Sequence, residues 1–134
     1  MSKSATDPNS RILITDDALT ISKRIRSAVT DSIRPIAFDP EGRPGTSNLL
    51  TIFAGCTGED VQLITERYRD KGHGDLKRDL VDVVEETVKG PRSEYHRLQQ
   101  DPGFVRAIAD HGTEKARALS QVTMKQIRKA VGLW

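Results

Sequence analysis

The chain carries apolar residues every three or four positions over most of its length, a spacing typical of amphipathic helices. One short apolar run with β-branched residues, 11–15, favours an extended segment instead. The predicted fold is therefore mainly α, a bundle-like set of five or six helices with a short extended segment near the N-terminus. The predicted helices lie at about 17–30, 48–54, 59–71, 75–90, 92–100 and from 102 almost to the C-terminus.

Capping residues and helix breakers set the expected boundaries. The Asp pair at 16–17 offers an N-cap to the first helix, and the Asp-Pro pair at 101–102 starts the last one. The Pro-Gly pair at 44–45 is expected to break the regular structure before the second helix, so that Thr46 or Ser47 caps that helix. These signals predict where three of the helices begin.

Other breakers predict interruptions inside the long helical stretches. The Gly-Pro pair at 90–91 should kink or stop the fourth helix, because Pro removes a donor and clashes with the preceding turn. Gly112 predicts a smaller disturbance in the last helix, and Gly132 should close that helix.

The inner faces of the helices are expected to be apolar, with the second helix at the centre of the domain. Arg92, His96 and Arg97 are expected to point outward. The side chains placed on apolar stripes are Ala18, Ile21, Ile25, Ala28, Val29, Val61, Ile64, Tyr68, Leu76, Leu80, Val83, Val84, Thr87, Val88, Tyr95, Leu98, Phe104, Val105, Ile108, Ala109, Ala116, Leu119, Val122, Thr123, Ile127 and Val131.

Composition narrows the class of protein. The 134 residues suffice for one domain with a real core, and the single Cys56 excludes an intrachain disulfide and makes a structural zinc site improbable. No apolar run approaches the roughly 20 residues that span a bilayer, so no membrane or export signal is expected. A reduced, cytoplasmic protein is the simplest interpretation. The net charge is only +2, so a nucleic-acid surface would need local clustering of cations.

The sequence shows no recognisable set of catalytic residues. Walker, G-x-S-x-G and H-E-x-x-H motifs are absent from the sequence, and so is the strand-helix alternation of a nucleotide-binding sheet. His73 lies in a loop and is more often structural or merely exposed than catalytic. The carboxylates of 79–86 fit a solvated helix face better than a metal site. Lys23, Arg24 and Arg26 form a basic stripe that usually serves solubility.

The N-terminal residues Met1-Ser2-Lys3-Ser4 are the one stretch whose residue types suggest a ligand. A mobile ammonium between two hydroxyls suits a polyphosphate, although a polar N-terminus is more often a solvated tail.

Beyond this loop, several blocks of the sequence resemble the C-terminal part of bacterial tryptophanyl-tRNA synthetases, a family of class I aminoacyl-tRNA synthetases. Met1–Ser4 is similar to their Lys-Met-Ser-Lys-Ser signature loop. The blocks Ile25–Ser32, Arg43–Leu50, Lys71–Lys77 and Gly112–Arg117 are similar to later blocks of the same family. The resemblance covers practically the whole chain.

The resemblance implies two domains with two roles. Residues 1–15 would be the ATP loop and extended segment of a catalytic domain, and residues 16–134 a helical tRNA anticodon-binding domain. Ser2, Lys3 and Ser4 would contact ATP and pyrophosphate, with Lys3 as the catalytic cation. Lys23, Arg24, Arg26, Lys115 and Arg117 are candidates, by charge, for contacts to tRNA phosphates. The cofactor expected for the full enzyme is ATP with Mg²⁺ as substrate, none being held tightly by this chain.

The sequence also departs from the family. The first Lys of the loop is missing, Ala5-Thr6 stand between Ser4 and Asp7, and His73 replaces a bulkier residue. No catalytic domain precedes Met1, so the chain alone is not expected to form the adenylate. If such a domain normally packs there, residues 12–14 and the helix at 17–30 should show an exposed apolar patch.

Three origins fit this expectation: a truncated gene product, one half of a split enzyme, or an excised segment. The expected partners are the tryptophan tRNA, ATP and tryptophan held by the missing domain, and, for a split enzyme, a separate synthetase subunit; neither a membrane nor DNA is expected. The alternatives are a stand-alone, non-catalytic helical module that binds tRNA or modulates a synthetase, and a purely structural interaction domain.

Overall fold

The computed structural model describes residues 7–133. Within this range the chain forms five α-helices, one 3-10 turn and no strand, which confirms the predicted mainly α class. None of the described helices is long and apolar enough to cross a membrane. The elements are the 3-10 turn Pro8–Ser10, α1 Ala18–Ser27, α2 Pro44–Thr57, α3 Val61–Tyr68, α4 His73–Gln99 and α5 Pro102–Ala130.

The chain divides into two compact units, Met1–Ser93 and Glu94–Trp134. The core of the first unit is built by α1, α2, α3 and the N-terminal part of α4, together with Ile36 of the loop after α1, and α2 contributes more buried side chains to it than any other helix. Phe53 of α2 meets Tyr68 of α3 with 5.7 Å between ring centroids. The buried apolar side chains are Ile21, Ile25, Ile36, Leu49, Leu50, Phe53, Ile64, Tyr68, Leu76, Leu80 and Val84.

Helix α1 begins where its cap predicts. Asp17 is the N-cap and its carboxylate accepts a hydrogen bond from the Thr20 amide at 2.7 Å. Two stripe positions at its ends are exposed instead of buried, because Ala18 is the first residue of the helix and Val29 follows its C-cap. The extended conformation predicted for 11–15 is seen at Arg11, although no strand forms.

Helix α2 begins at Pro44, four residues earlier than predicted. The Pro-Gly pair does not interrupt the chain, because Pro fits the first position of a helix, where its missing N–H costs nothing. Thr46 and Ser47 are consequently not caps but buried residues of the first turn. The Ser47 hydroxyl accepts a hydrogen bond from the Asp39 amide at 2.9 Å, which ties the preceding turn to the helix.

Helix α4 runs through Pro91 without stopping, so the two separate helices predicted on either side of the Gly-Pro pair are one helix. Pro91 and Thr87 are both exposed, so water can satisfy the Thr87 carbonyl that the Pro ring leaves without a donor. Arg92 and Glu85 form a paired hydrogen bond of 2.9 and 2.8 Å across the Pro. Arg92 is therefore half-buried and not outward-facing as expected.

The second unit lacks a buried residue throughout α5. The helix starts after the predicted Asp101 cap, continues past Gly112, and ends at Ala130, with Val131 as the C-cap and Gly132 at φ +74°. Periodicity shows which face of a helix can be buried, but not whether anything covers it. The stripe side chains predicted here that are exposed are Tyr95, Phe104, Val105, Ile108, Ala109, Ala116, Leu119, Val122, Thr123, Ile127 and Val131, as is Thr87 of α4.

Candidate functional site

The predicted loop residues Ser2, Lys3 and Ser4 lie outside the described residues, which begin at Asp7. Asp7 caps the 3-10 turn, its carboxylate accepting from the Asn9 amide at 2.8 Å. The Ser10 hydroxyl donates to the Asp7 carbonyl oxygen at 2.7 Å. The segment that follows the loop is thus a hydrogen-bonded turn.

A cavity of about 280 Å³ lies between this turn, the end of α1 and the start of α2. Its lining includes Asp7 and Asn9 of the turn, Ser27 of α1 and Asn48 of α2. Gly45 makes this junction possible, because a Cβ at that position would lie 2.2 Å from the Val29 carbonyl oxygen. The backbones of α2 and of the segment after α1 therefore approach closely beside the turn.

A buried polar cluster anchors the loop that joins α1 to α2. We call it the Asp31 cluster; it consists of Asp31, Arg43, Thr46 and the backbone of residues 33 and 35. The Arg43 guanidinium donates to the Asp31 carboxylate at 2.6 Å. It also donates to the carbonyl oxygens of Ile33 at 2.6 Å and Pro35 at 2.7 Å. The Thr46 hydroxyl donates to the other Asp31 oxygen at 2.7 Å.

The electrostatics of the cluster favour an ionised Asp31. The hydrogen bond from Arg43 is the main reason that the pKa of Asp31 lies well below its usual value, with Thr46 adding to the effect. The buried Nε of Arg43 has no hydrogen-bond partner among the described residues. The sequence did not predict this cluster as a site, although its residues lie in two blocks of the resemblance.

His73 lies beside the Asp31 cluster, with Nε2 3.8 Å from a carboxylate oxygen of Asp31. Nε2 is buried and makes no hydrogen bond within residues 7–133. Burial lowers the pKa of His73, which Asp31 only partly offsets, and this favours the neutral ring. His73 is the first residue of α4 and not a loop residue as predicted. Its structural role stays a prediction.

Lys77 of α4 caps the C-terminus of α1. Its ammonium donates to the carbonyl oxygen of Ala28 at 2.7 Å and to that of Arg26 at 3.3 Å. A cation at this end of a helix also interacts favourably with the helix dipole. Sequence reasoning missed this contact because the two partners are about fifty residues apart.

The predicted tRNA-contacting cations differ in whether they are exposed or already bound to a partner within the chain. Lys23 and Arg26 are exposed on α1, whereas Arg24 is committed to a pair with Asp16 and to the Arg11 carbonyl oxygen at 2.9 Å. Lys115 and Arg117 are exposed on α5, in the other unit.

The carboxylates of 79–86 are partly engaged, which corrects the prediction of a wholly solvated face. Asp79 accepts a hydrogen bond from the Tyr68 hydroxyl at 2.7 Å, and Glu85 binds Arg92. Burial, followed by the Asp79 contact, raises the pKa of Tyr68. The described residues contain no cluster of His, Cys, Asp or Glu able to hold a metal ion.

Apolar side chains near the start of the chain are exposed, as the sequence predicted for a face that a further domain would cover. Leu13 and Ile14 are 45 and 54% exposed, and Leu19 on α1 is 81% exposed. Ile12 is partly buried against the core. The exposed group lies close in sequence to the turn that follows the loop.

This chain is similar in sequence to a known family of proteins. The family model described as tRNA synthetases class I (W and Y) matches residues 1–89. The tryptophan–tRNA ligases of Bacillus anthracis and Oceanobacillus iheyensis are each 41% identical to this chain over 133 residues, which is 99% of the chain. The chain spans only 40% of the length of each of these relatives.

A solved structure is also similar. The crystal structure of tryptophanyl-tRNA synthetase from Mycoplasma pneumoniae matches with a TM-score of 0.71 at 28% identity. The match covers 100% of this chain and 41% of that one.

Proposed function

The chain belongs to the tRNA synthetases of class I (W and Y), and from this premise we propose that it is the C-terminal part of a tryptophan–tRNA ligase. The alignment of 99% of the chain with such ligases at 41% identity carries the proposal. The ligase attaches tryptophan to its tRNA at the expense of ATP. In that ligase this chain supplies the pyrophosphate-stabilising loop and a helical surface for the tRNA.

The loop has a defined chemical task in this proposal. Formation of the adenylate breaks the bond between the α- and β-phosphates of ATP, so negative charge builds on the departing pyrophosphate. The Lys3 ammonium stabilises that charge, and Ser2 and Ser4 donate hydrogen bonds. Because the charge grows as the bond breaks, the contact acts mainly on the rate. Mg²⁺ enters with ATP as part of the substrate.

The hydrogen-bonded turn after the loop supports this task. The Arg24 guanidinium of α1 donates to the carbonyl oxygen of Arg11, the residue after the turn, at 2.9 Å and so joins that segment to α1. Thr46 of α2 binds Asp31 in the loop after α1, and Lys77 of α4 binds the C-terminal end of α1. A fixed junction limits the positions from which the loop can reach a phosphate.

The test is a chimera in which the preceding part of the Bacillus anthracis relative is joined to Met1 of this chain. Charging of the tryptophan tRNA with tryptophan and ATP is measured. We expect the chimera to be active and Lys3→Ala to lower its turnover by about 10²- to 10³-fold with little change in the KM for tRNA, the size found when one charge-stabilising donor is removed. Lys89→Ala, at an exposed position of α4 that has no proposed contact, is the control for loss of one Lys. A folded but inert chimera, or an unaffected Lys3→Ala, contradicts the proposal.

Recognition of the anticodon needs a separate measurement. We expect the chain itself to bind the tryptophan tRNA more tightly than an unrelated tRNA at moderate salt. Equal affinity for both would contradict specific recognition of the tryptophan tRNA. It would favour the alternative of a stand-alone helical module that binds RNA without sequence specificity.

A further inference from the structure

The segment between the 3-10 turn and α1 is connected to one side chain of α1. Arg24 lies in the last turn of α1, and its guanidinium donates to the Arg11 carbonyl oxygen at 2.9 Å and to the carboxylate of Asp16. The Asp16 carboxylate also accepts a hydrogen bond from the Leu13 amide at 2.6 Å. The backbone at both Arg11 and Leu13 is therefore held by one ion pair, which we call the Asp16–Arg24 pair.

A backbone turn beside the pair adds to this constraint. The Asp16 amide donates to the Leu13 carbonyl oxygen at 3.0 Å and closes a turn over residues 13–16. The Asp16 carboxylate closes the same turn a second time through the Leu13 amide. The Arg24 side chain also lines the cavity beside the 3-10 turn Pro8–Ser10. Arg24 therefore lies next to both pieces of chain that follow the loop.

The surroundings of Arg24 do not favour a contact with an RNA phosphate. The side chains of Arg24 and Asp16 are 14 and 10% exposed, whereas Lys23 and Arg26 on the same helix are exposed. A cation that is already paired with a carboxylate has less attraction left for an anion outside the chain. The charge of Arg24 made it a candidate for tRNA, but its contacts are made within the chain.

A pair at this depth contributes more to geometry than to stability. Taking two charges out of water is costly, and their mutual attraction and hydrogen bonds do little more than repay that cost. The rigid guanidinium can meet the Arg11 carbonyl oxygen and the Asp16 carboxylate together only when both hold one arrangement. The segment held in this arrangement begins eight residues after Lys3.

We propose that the Asp16–Arg24 pair positions the loop that carries Lys3 for its contact with the departing pyrophosphate. The inference rests on the proposed function and adds to it two positioning residues that touch neither ATP nor tRNA. The pair holds Arg11, and the hydrogen-bonded turn before it carries the constraint towards the loop. Misplacement of a reacting group by roughly 1 Å can lower a rate by about 10²-fold, so loss of the pair should slow the step that uses Lys3.

The first measurement is tryptophan-dependent exchange of pyrophosphate into ATP by the chimera, a reaction that needs no tRNA. Arg24→Met removes the donors but keeps most of the volume, and should lower the turnover about 10- to 100-fold with little change in the KM for tryptophan. The control is Arg69→Met, which removes an exposed guanidinium whose pair with Glu66 spans 3.4 Å. It should change the turnover by less than about 2-fold.

Two conservative variants test the pair from both sides. Asp16→Asn keeps an acceptor for the Leu13 amide but removes the charge, and should lower the turnover by about 3- to 10-fold. Arg24→Lys keeps the charge but loses the planar fork, and should recover part of the turnover that Arg24→Met loses. Circular dichroism at 222 nm checks that each variant remains helical.

Combination with Lys3→Ala separates a positioning role from a merely structural one. If Arg24 acts through Lys3, Arg24→Met has little left to disturb once the ammonium is gone. It should then lower the turnover of the Lys3→Ala chimera by less than about 2-fold further. A pair that only stabilises the fold lowers the turnover by the same factor whether Lys3 is present or absent.

Hydrogen exchange in the chain itself measures the constraint without any activity. The amides of Leu13 and Asp16, both hydrogen-bonded in the turn, should exchange roughly 10-fold faster in Arg24→Met, while the amides of α2 keep their wild-type rates. Asp16→Asn gives the same measurement if Arg24→Met does not fold. Unchanged exchange at both amides contradicts the inference.

The remaining outcomes distinguish this inference from the proposed function. An active chimera in which Arg24→Met has no effect, or costs the same factor with and without Lys3, contradicts the positioning role alone. Weaker binding of the tryptophan tRNA with unchanged pyrophosphate exchange assigns Arg24 to the tRNA instead. An inert chimera, or one that Lys3→Ala leaves unaffected, contradicts the proposed function and this inference with it.

Discussion

Replacing Arg43 with Met tests whether the Asp31 cluster stabilises the first unit. Arg43 is only 8% exposed, and its guanidinium donates three hydrogen bonds of 2.6 to 2.7 Å. Met fills most of the same volume but leaves the Asp31 carboxylate and the carbonyl oxygens of Ile33 and Pro35 without this donor. Among the described contacts of Asp31, the hydrogen bond from the Thr46 hydroxyl and the nearby His73 ring then remain, without the Arg43 charge.

The expected cost follows from the environment of the pair. Removing one partner of a fully buried ion pair costs about 3–5 kcal/mol. The Asp31 side chain is 21% exposed, so water recovers part of its solvation. We therefore expect Arg43→Met to lower the free energy of unfolding by roughly 2–4 kcal/mol at pH 7.

The loss should depend on pH in a defined direction. Arg43 holds the pKa of Asp31 below its usual value in the folded chain. A group with a depressed folded pKa stabilises the fold above its unfolded pKa, about 3.9 for Asp, and loses this contribution as the pH falls below that value. The difference between wild type and variant should therefore be constant from pH 5 to 7 and shrink by roughly 1 kcal/mol at pH 3.

Urea denaturation, followed by the near-ultraviolet circular dichroism of the buried Tyr68, measures these quantities. Arg69→Met is the control, because its side chain is 55% exposed and its pair with Glu66 spans 3.4 Å. An exposed pair of this kind contributes about 0–1 kcal/mol. The reasoning is refuted if the two variants lose the same stability, or if the loss in Arg43→Met does not diminish in acid.

Two further changes probe the junction at the end of α1. Gly45→Ala places a Cβ against the Val29 carbonyl oxygen and should destabilise the first unit by about 1–3 kcal/mol in urea. Gly55→Ala in the same helix meets no atom within 4 Å and should stabilise by about 0.5–1 kcal/mol, so equal effects would contradict the close approach. Lys77→Met removes the cap of α1 and should cost about 0.5–2 kcal/mol and lower helicity at 222 nm, whereas the exposed Lys89→Met should cost little.

Local signals predicted the helix ends well where a side chain caps the backbone. Asp17 and Asp101 start α1 and α5 as expected, because the cap and the amide it satisfies are three residues apart. Pro was harder to interpret. At Pro44 it starts a helix and at Pro91 it is tolerated within one, and the outcome depends on position within the helix and on exposure, neither of which the dipeptide alone reveals.

Contacts between distant segments were beyond sequence patterns. The Asp31 cluster joins residues 8 to 15 positions apart, and the Lys77 contact spans 49 and 51 positions. Periodicity reports only which side chains share a helix face, so it cannot pair the carboxylate of Asp31 with the guanidinium of Arg43, which precedes α2. The same limit applies to α5. Periodicity shows that its apolar residues share one face, but whether that face is exposed depends on what lies beside it.

Three of the blocks that resemble the family nevertheless lie close together in the structure. The blocks at 25–32, 43–50 and 71–77 are far apart in sequence, yet their side chains meet around the C-terminal end of α1. Asp31 binds Thr46 at 2.7 Å, His73 lies beside Asp31, and Lys77 caps Ala28 at 2.7 Å. The turn that follows the loop lines the same cavity as this helix end. We propose that these three blocks hold in place the segment that follows the loop carrying Lys3, a role that requires no base contact or bound metal from any of them.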